Sequence, residues 1–376
     1  MRDATKILRA MVTPAMAGEP LHEGPVFAAP FHVPGAVDEA TYSYARYQQP
    51  NWTTLERVLE LIETGDGLPG KVEARALCFG SGMAATAAVF GAVLRPGDAV
   101  VLPTGGYFTA RVLAEEYFRA MGVEVRSAPV TDELQGEFLE GARLLWIESP
   151  SNPGMEVCDI AALCERAHRA GVLVACDNTT ATPMGQNVLA LGADFSVVSD
   201  TKLMTGHSDL LMGHVAVTDE VWYGKLLSWR NLTGGGPGPM EAWLATRSLA
   251  TLPLRLERST ANALRVAEWM EARPEVRSVR YPGLMSHEAY ATARRQMRSF
   301  GPVVSFALET GAKAEEFLRE ARLVSNATSF GGITTTAERR TRWGHDAVEE
   351  GFIRMSVGCE AVEDLLEDFG RAMEGD

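Results

Sequence analysis

The chain has 376 residues, enough for one large domain and a smaller one, and 46% of them are hydrophobic. Its 35 basic and 49 acidic residues give a formal charge of −14, which argues against nucleic acid or an anionic membrane as the main partner. Five cysteines with no CxxC pair suit a reducing compartment, and no apolar run or signal-like N-terminus points elsewhere, so the expected location is cytoplasmic.

Residues 1–47 are rich in Pro, Gly and Ala with little periodicity. So long an irregular stretch reads as an arm lying on something else, a neighbouring subunit being the expected support. From about 48 to 235 short apolar runs alternate with Ala-rich amphipathic segments. Strands are predicted at 99–103, 123–129, 143–148, 172–177, 195–199 and 214–218, with helices at 83–94, 109–121 and 159–170 among them. Apolar strands without alternation are buried on both faces, and strand–helix repetition predicts a mostly parallel α/β sheet covered by helices. The Gly/Pro cluster at 231–243 breaks this rhythm. Beyond it, residues 236–376 read as a smaller α+β domain: a long helix over 241–273 interrupted at Pro253, strands near 276–281 and 303–308, helices at 286–298 and 312–321, a strand in "FIRMSVG" and a last helix at 360–373.

In open α/β sheets ligands bind beyond the carboxyl ends of the strands. Glu148 and Asn152 follow one predicted strand, Asp177 ends the next, and Ser199, Thr201 and Lys202 follow a third. A buried Asp177–Lys202 pair reads in two ways. It is a structural ion pair, which stabilises little because desolvation offsets the attraction. Or it is a nucleophilic amine and an acid partner for a pyridinium nitrogen, the two demands of pyridoxal phosphate. "FGSGMAATAAVF" (79–90) runs Gly–Ser–Gly into a helix, an arrangement suited to an anion, with the Ser199 and Thr201 hydroxyls available to the same phosphate. The dinucleotide spacing fails there, since Ala85 stands where a third glycine is needed and no acid closes the next strand.

"FGSGMAA", "ESPSNP", "DNTTATP", "SDTKLMTGHSD", "RSLATLPLR" and "IRMSVGCEAVEDL" resemble, in order and spacing, the Cys/Met-metabolism pyridoxal-phosphate enzymes over about residues 40–376. Through "GPMEAWLATRSLATL" and "TTAERRTRWG" the chain resembles the cystathionine γ-lyase-like members most. The resemblance implies fold type I, with a large cofactor domain over 48–235 and a C-terminal α+β domain over 236–376. It implies that Lys202 bonds the cofactor and shuttles protons, that Asp177 faces the ring nitrogen, and that Gly82, Met83, Ser199 and Thr201 hold the phosphate. Tyr44 and Arg46 would reach the neighbouring subunit's phosphate, as part of a homotetramer with shared sites. Tyr107 would stack on the ring and assist proton transfer. Arg354 would clamp the substrate carboxylate, helped by Asn152 and Ser329.

Four features depart from the family pattern. Thr180 replaces the usual aromatic after "DNT", the loop after Tyr107 reads "YFT" and is short, and "QQPN" replaces the common "xNPT". Thr334 stands where cystathionine-handling relatives often carry a glutamate beside the distal part of the substrate. The implied reaction is γ-elimination on cystathionine or a related sulfur amino acid, giving a 2-oxo acid, ammonia and a thiol. γ-Replacement on an O-acyl-homoserine and β-elimination are the alternatives within the chemistry, and a non-catalytic binding protein on the same fold is the alternative outside it. No metal is expected.

Overall fold

Seven short strands, β1 (Arg75–Phe79), β2 (Ala99–Pro103), β3 (Glu124–Ala128), β4 (Leu144–Glu148), β5 (Leu173–Asp177), β6 (Phe195–Val198) and β7 (Gly213–Val217), make the larger sheet. The computed structural model describes residues 2–65, 72–129 and 138–374. The sheet order is β1-β7-β6-β5-β4-β2-β3, parallel from β6 through to β3, with β7 antiparallel to both its neighbours. The apolar runs "AVVLP" and "LLWIE" are wholly buried, because helices cover both faces. β3 is different. It is the edge strand, half exposed, and carries the Arg126–Glu124 ion pair at its rim.

Five further strands form a second sheet: β8 (Val276–Arg280), β9 (Val303–Leu308), β10 (Ser325–Asn326), β11 (Thr336–Arg339) and β12 (Phe352–Ser356). Their order is β10-β11-β12-β9-β8, antiparallel except for β10 with β11. The core on this sheet is built from Phe306, Phe317 and Phe369, packed edge to face.

Among the elements that the sequence reading misses or misplaces, four have a plain physical reason. The expected irregular arm begins with a helix, α1 (Asp3–Ala10). Ile7 and Met11, four apart on one face, are buried against Leu55 and Leu59 of the helix α2 (Pro50–Thr64). β1 escapes notice because its partner β7 lies far along the chain. The helix expected over 109–121 is α-helical only over Phe108–Leu113, then passes through a π turn and a 3₁₀ turn to Gly122, whose φ of +90° ends it. Pro253 does not interrupt a long helix. It sits in the first turn of the second of two, Pro239–Leu249 and Leu252–Glu271, where a missing N–H costs nothing.

A buried charged cluster ties α2 to the larger sheet. His214 on β7 bonds through Nδ1 to Asp200 Oδ1 and through Nε2 to Glu63 Oε1, both at 2.8 Å, and Ser196 Oγ donates to the same Glu63 oxygen. Burial alone disfavours the imidazolium, yet the Asp200 and Glu63 carboxylates push the His214 pKa up to about 10. A pKa raised on folding gives stability that is whole below the ordinary histidine value and fades as pH climbs through the folded value. The melting temperature of wild type therefore exceeds that of His214→Gln most near pH 6, and the gap narrows steadily toward pH 10. A gap independent of pH over that range contradicts the charged imidazolium.

Candidate active site

β4, β5 and β6 run the same way, so their carboxyl ends deliver Glu148, Asp177 and the Ser199–Lys202 turn to one edge of the sheet. β1 runs parallel to β6 across the intervening antiparallel β7, so the Gly80–Gly82 turn arrives at that edge too. The second sheet closes the site from the opposite side with Ser329 and Arg354. Together they line a cavity of about 400 Å³.

At one end the helix α3 (Gly82–Val93) points its N-terminus into the cavity. Ser81 caps it by accepting from the Ala84 N–H at 3.1 Å. The Gly82 and Met83 N–H groups donate to no acceptor among the described residues, so they stand ready for an anion. Gly82 abuts the Ser199 turn so closely that a Cβ would lie 2.6 Å from Ser199 Cβ and 2.7 Å from its Oγ. Only glycine permits that approach. Thr201 also lines the cavity, with its hydroxyl shared between the Met212 N–H and C=O. These groups fit a phosphate monoester.

Lys202 Nζ donates to Ser329 Oγ at 2.7 Å and makes no direct ion pair with Asp177, which removes the structural-pair reading. Ser329 holds its hydroxyl there from a left-handed backbone, φ +78°, rare for a residue with a Cβ. Burial, then the charge on Arg354, pulls the Lys202 pKa down to about 8 against the opposing Glu338 and Asp177. A substantial share of the amine is therefore neutral near physiological pH. Asp177 ends β5, half-buried. Burial raises its pKa, while hydrogen bonds from Thr179 and the charge of Lys202 oppose the rise. A carboxyl in this condition gains most from a cation placed against it, which is what a protonated pyridine nitrogen is. The lysine, the acid and the anion cradle surround one cavity and fit pyridoxal phosphate.

Arg354 is buried on β12. It donates to Asn152 Oδ1 at 2.7 Å, the Ser329 carbonyl at 2.9 Å and Glu338 Oε1 at 2.6 Å. Glu338 is its register partner on β11. Burial, with Arg340 second, lowers the Arg354 pKa to about 10, and Glu338 and Asp346 hold it from falling further, so the guanidinium is cationic at neutral pH. Glu148 accepts the Tyr107 N–H at 2.6 Å and the Asn152 N–H at 2.8 Å. Burial and the adjacent Asp177 push its own pKa well up. It fixes the loops that carry Tyr107 and Asn152.

Of the residues expected from sequence, Gly82, Met83, Tyr107, Asn152, Asp177, Ser199, Thr201, Lys202, Ser329 and Arg354 all line this cavity. Thr334 does not; it is exposed outside it. Tyr44 and Arg46 lie outside this chain's own cavity, on the arm, where Arg46 packs on the Tyr47 ring and donates to the Asn231 carbonyl. Sequence reasoning missed Glu338, Arg340, Trp343, His345 and Asp346. Their signal is the dense run "ERRTRWGHD", three arginines with two acids in nine positions, more charge than a solvated turn needs.

An amine and a carboxylic acid converging beside a phosphate cradle, at the carboxyl edge of a mostly parallel sheet, define a pyridoxal-phosphate enzyme of fold type I. The chain belongs to the Cys/Met metabolism PLP-dependent enzyme family, whose model matches residues 19–374. A Streptomyces coelicolor protein provisionally named a cystathionine γ-lyase is 50% identical over 99% of this chain and 93% of its own length. A cystathionine γ-synthase of Mycobacterium tuberculosis is 37% identical over 88% of this chain and 86% of its own. The solved structure of a cystathionine γ-lyase from Micromonospora echinospora superposes with a TM-score of 0.92 at 34% identity, covering the whole of both chains. The enzyme is a pyridoxal-phosphate-dependent lyase by kinship, with a γ-synthase-type transferase as the neighbouring alternative.

Proposed function

We propose that the enzyme cleaves the Cγ–S bond of cystathionine or a closely related thioether amino acid, releasing a thiol, a 2-oxo acid and ammonia. The observation that carries this reading is the convergence of Lys202, its pKa brought down to about 8, with Arg354 and Tyr107 in one cavity. Pyridoxal phosphate, when bound, supplies the electron-withdrawing ring that acidifies the substrate's Cα–H. Gly82, Met83 and Ser199 hold its phosphate, and Asp177 keeps its ring nitrogen protonated. The Arg354 N–H donors not committed to Asn152, Ser329 and Glu338 take the substrate's α-carboxylate and so turn its Cα–H toward Lys202. Lys202 Nζ then removes a proton from Cα and a second from Cβ, with Ser329 Oγ holding the amine in place between transfers. The Tyr107 hydroxyl delivers a proton to the departing sulfur.

The arm supports a shared-site homotetramer. Phe27, Tyr44 and Tyr47 are exposed apolar groups on it, and a second chain's cavity is a natural place for Arg46. The free thiols of Cys78, Cys164, Cys176 and Cys359 accord with a cytoplasmic setting, and among the described residues no helix is long and apolar enough to cross a membrane.

Incubation with cystathionine tests the reaction. 2-Oxobutyrate and cysteine are expected, carried by the tetrameric fraction. Pyruvate with homocysteine means β-cleavage instead. Release of cystathionine from an O-acyl-homoserine and cysteine, with no keto acid from cystathionine itself, means γ-replacement.

A further inference from the structure

Among the described residues three carboxyl groups line the cavity: Glu148, Asp177 and Asp346. The first is committed to the Tyr107 and Asn152 N–H groups and the second faces the cofactor ring. Asp346 is left. One of its oxygens, Oδ2, is held by Arg340 through Nε at 2.8 Å and Nη2 at 2.7 Å. The other, Oδ1, lies 3.8 Å from His345 Nε2, beyond hydrogen-bond reach, on a side chain that lines the cavity. A carboxylate oxygen on the cavity wall has lone pairs to offer a ligand's donor.

The segment that presents Asp346 is built to keep its shape. His345 stacks on Phe108, centroids 4.3 Å apart and planes 18° off parallel. Trp343 Nε1 donates to Glu338 Oε2 at 2.8 Å. Arg340 bridges Glu338 Oε1, the oxygen that also holds Arg354, to Asp346. Contacts of 2.6, 2.6 and 2.8 Å across one guanidinium thus join Arg354 to Asp346, placing the two no more than roughly 10 Å apart. In an extended thioether of cystathionine length the distal nitrogen lies about 9 Å from the α-carboxylate carbon. With Arg354 on the near end and about 3 Å of hydrogen bond at each contact, a thioether bent short of full extension brings its far ammonium to Asp346. The far half of such a substrate is itself zwitterionic, so it leaves the charge of the arginine cluster unchanged.

Resting on the lyase reading above, we propose that Asp346 is the specificity-determining residue for the distal ammonium of the thioether, with Arg340 as its positioning residue. Bis-amino thioethers are selected over thioethers that lack the second amine.

The test is a two-by-two comparison on holoenzyme: wild type and Asp346→Asn, each with cystathionine and with S-(2-carboxyethyl)-homocysteine, which lacks only the distal amine. Wild type is expected to favour cystathionine by about tenfold or more in kcat/KM, a ratio that depends on no variant folding. In Asp346→Asn that ratio falls toward one, chiefly through a higher KM for cystathionine, while the analogue's kcat/KM stays within about threefold. No preference in wild type overturns the assignment. So does a variant in which both substrates fall together, since that marks Asp346 as a support for Arg340 alone. Failure of wild type to release a 2-oxo acid from either thioether overturns the lyase reading as well, and so is told apart from the first two outcomes.

Discussion

Lys202→Ala lowers thioether cleavage by about 10³- to 10⁴-fold, the size expected when the group that moves the substrate's protons is removed. Lys202 is the amine of the cavity placed beside Ser329 Oγ, with its pKa drawn to about 8. Arg354 and Arg340, the arginines lining the cavity, are fixed in bonds to Glu338, and a guanidinium offers no lone pair as a base. Neither can take over the base's work. The loss falls on kcat, because Arg354 and Asn152 still hold the substrate carboxylate. The variant still takes up added pyridoxal phosphate, since the Gly82–Met83 N–H groups and Asp177 are untouched, but the visible band of the lysine-linked cofactor is gone. A variant retaining more than a tenth of wild-type turnover contradicts the role.

Arg354→Lys is the second large effect. It keeps a cation but loses the planar fork that meets a carboxylate with two parallel bonds. The pocket around it is shaped for that fork: Asn152 Oδ1, the Ser329 carbonyl and Glu338 Oε1 each take one of its donors at 2.6–2.9 Å. A lysine ammonium satisfies only part of this set and leaves the rest buried without a partner. The expected result is a fall in kcat/KM of about 10²-fold or more, carried mainly by KM, with cofactor absorbance unchanged. A variant whose KM is within threefold of wild type contradicts the carboxylate role.

Most of the residues that line the cavity around Lys202 were legible in the sequence, and the reason is physical. Residues that bind at strand ends follow short apolar runs directly, so Asp177 after "LVAC" and Lys202 after "FSVV" are read from the runs that bury them. The Gly–Ser–Gly turn is legible because a helix N-terminus needs small residues to approach a partner, as Gly82 does with Ser199. Two kinds of feature were not legible. Asp346 and Arg340 act through contacts between a loop and a strand, so no periodicity announces them. The Glu63–Asp200–His214 cluster joins residues up to 151 positions apart, and each alone reads as a surface charge although all are buried. The helix in the arm was hidden by its length, since its eight residues hold a single buried position, Ile7, and show no period.

The most direct measurement reduces the resting holoenzyme with borohydride, digests it and weighs the peptides. A pyridoxyl mass on Lys202, in the peptide that also holds Thr201 and Leu203, is the predicted result. Loading with cofactor but no such mass on that peptide, or the mass on another lysine, contradicts the account at its centre.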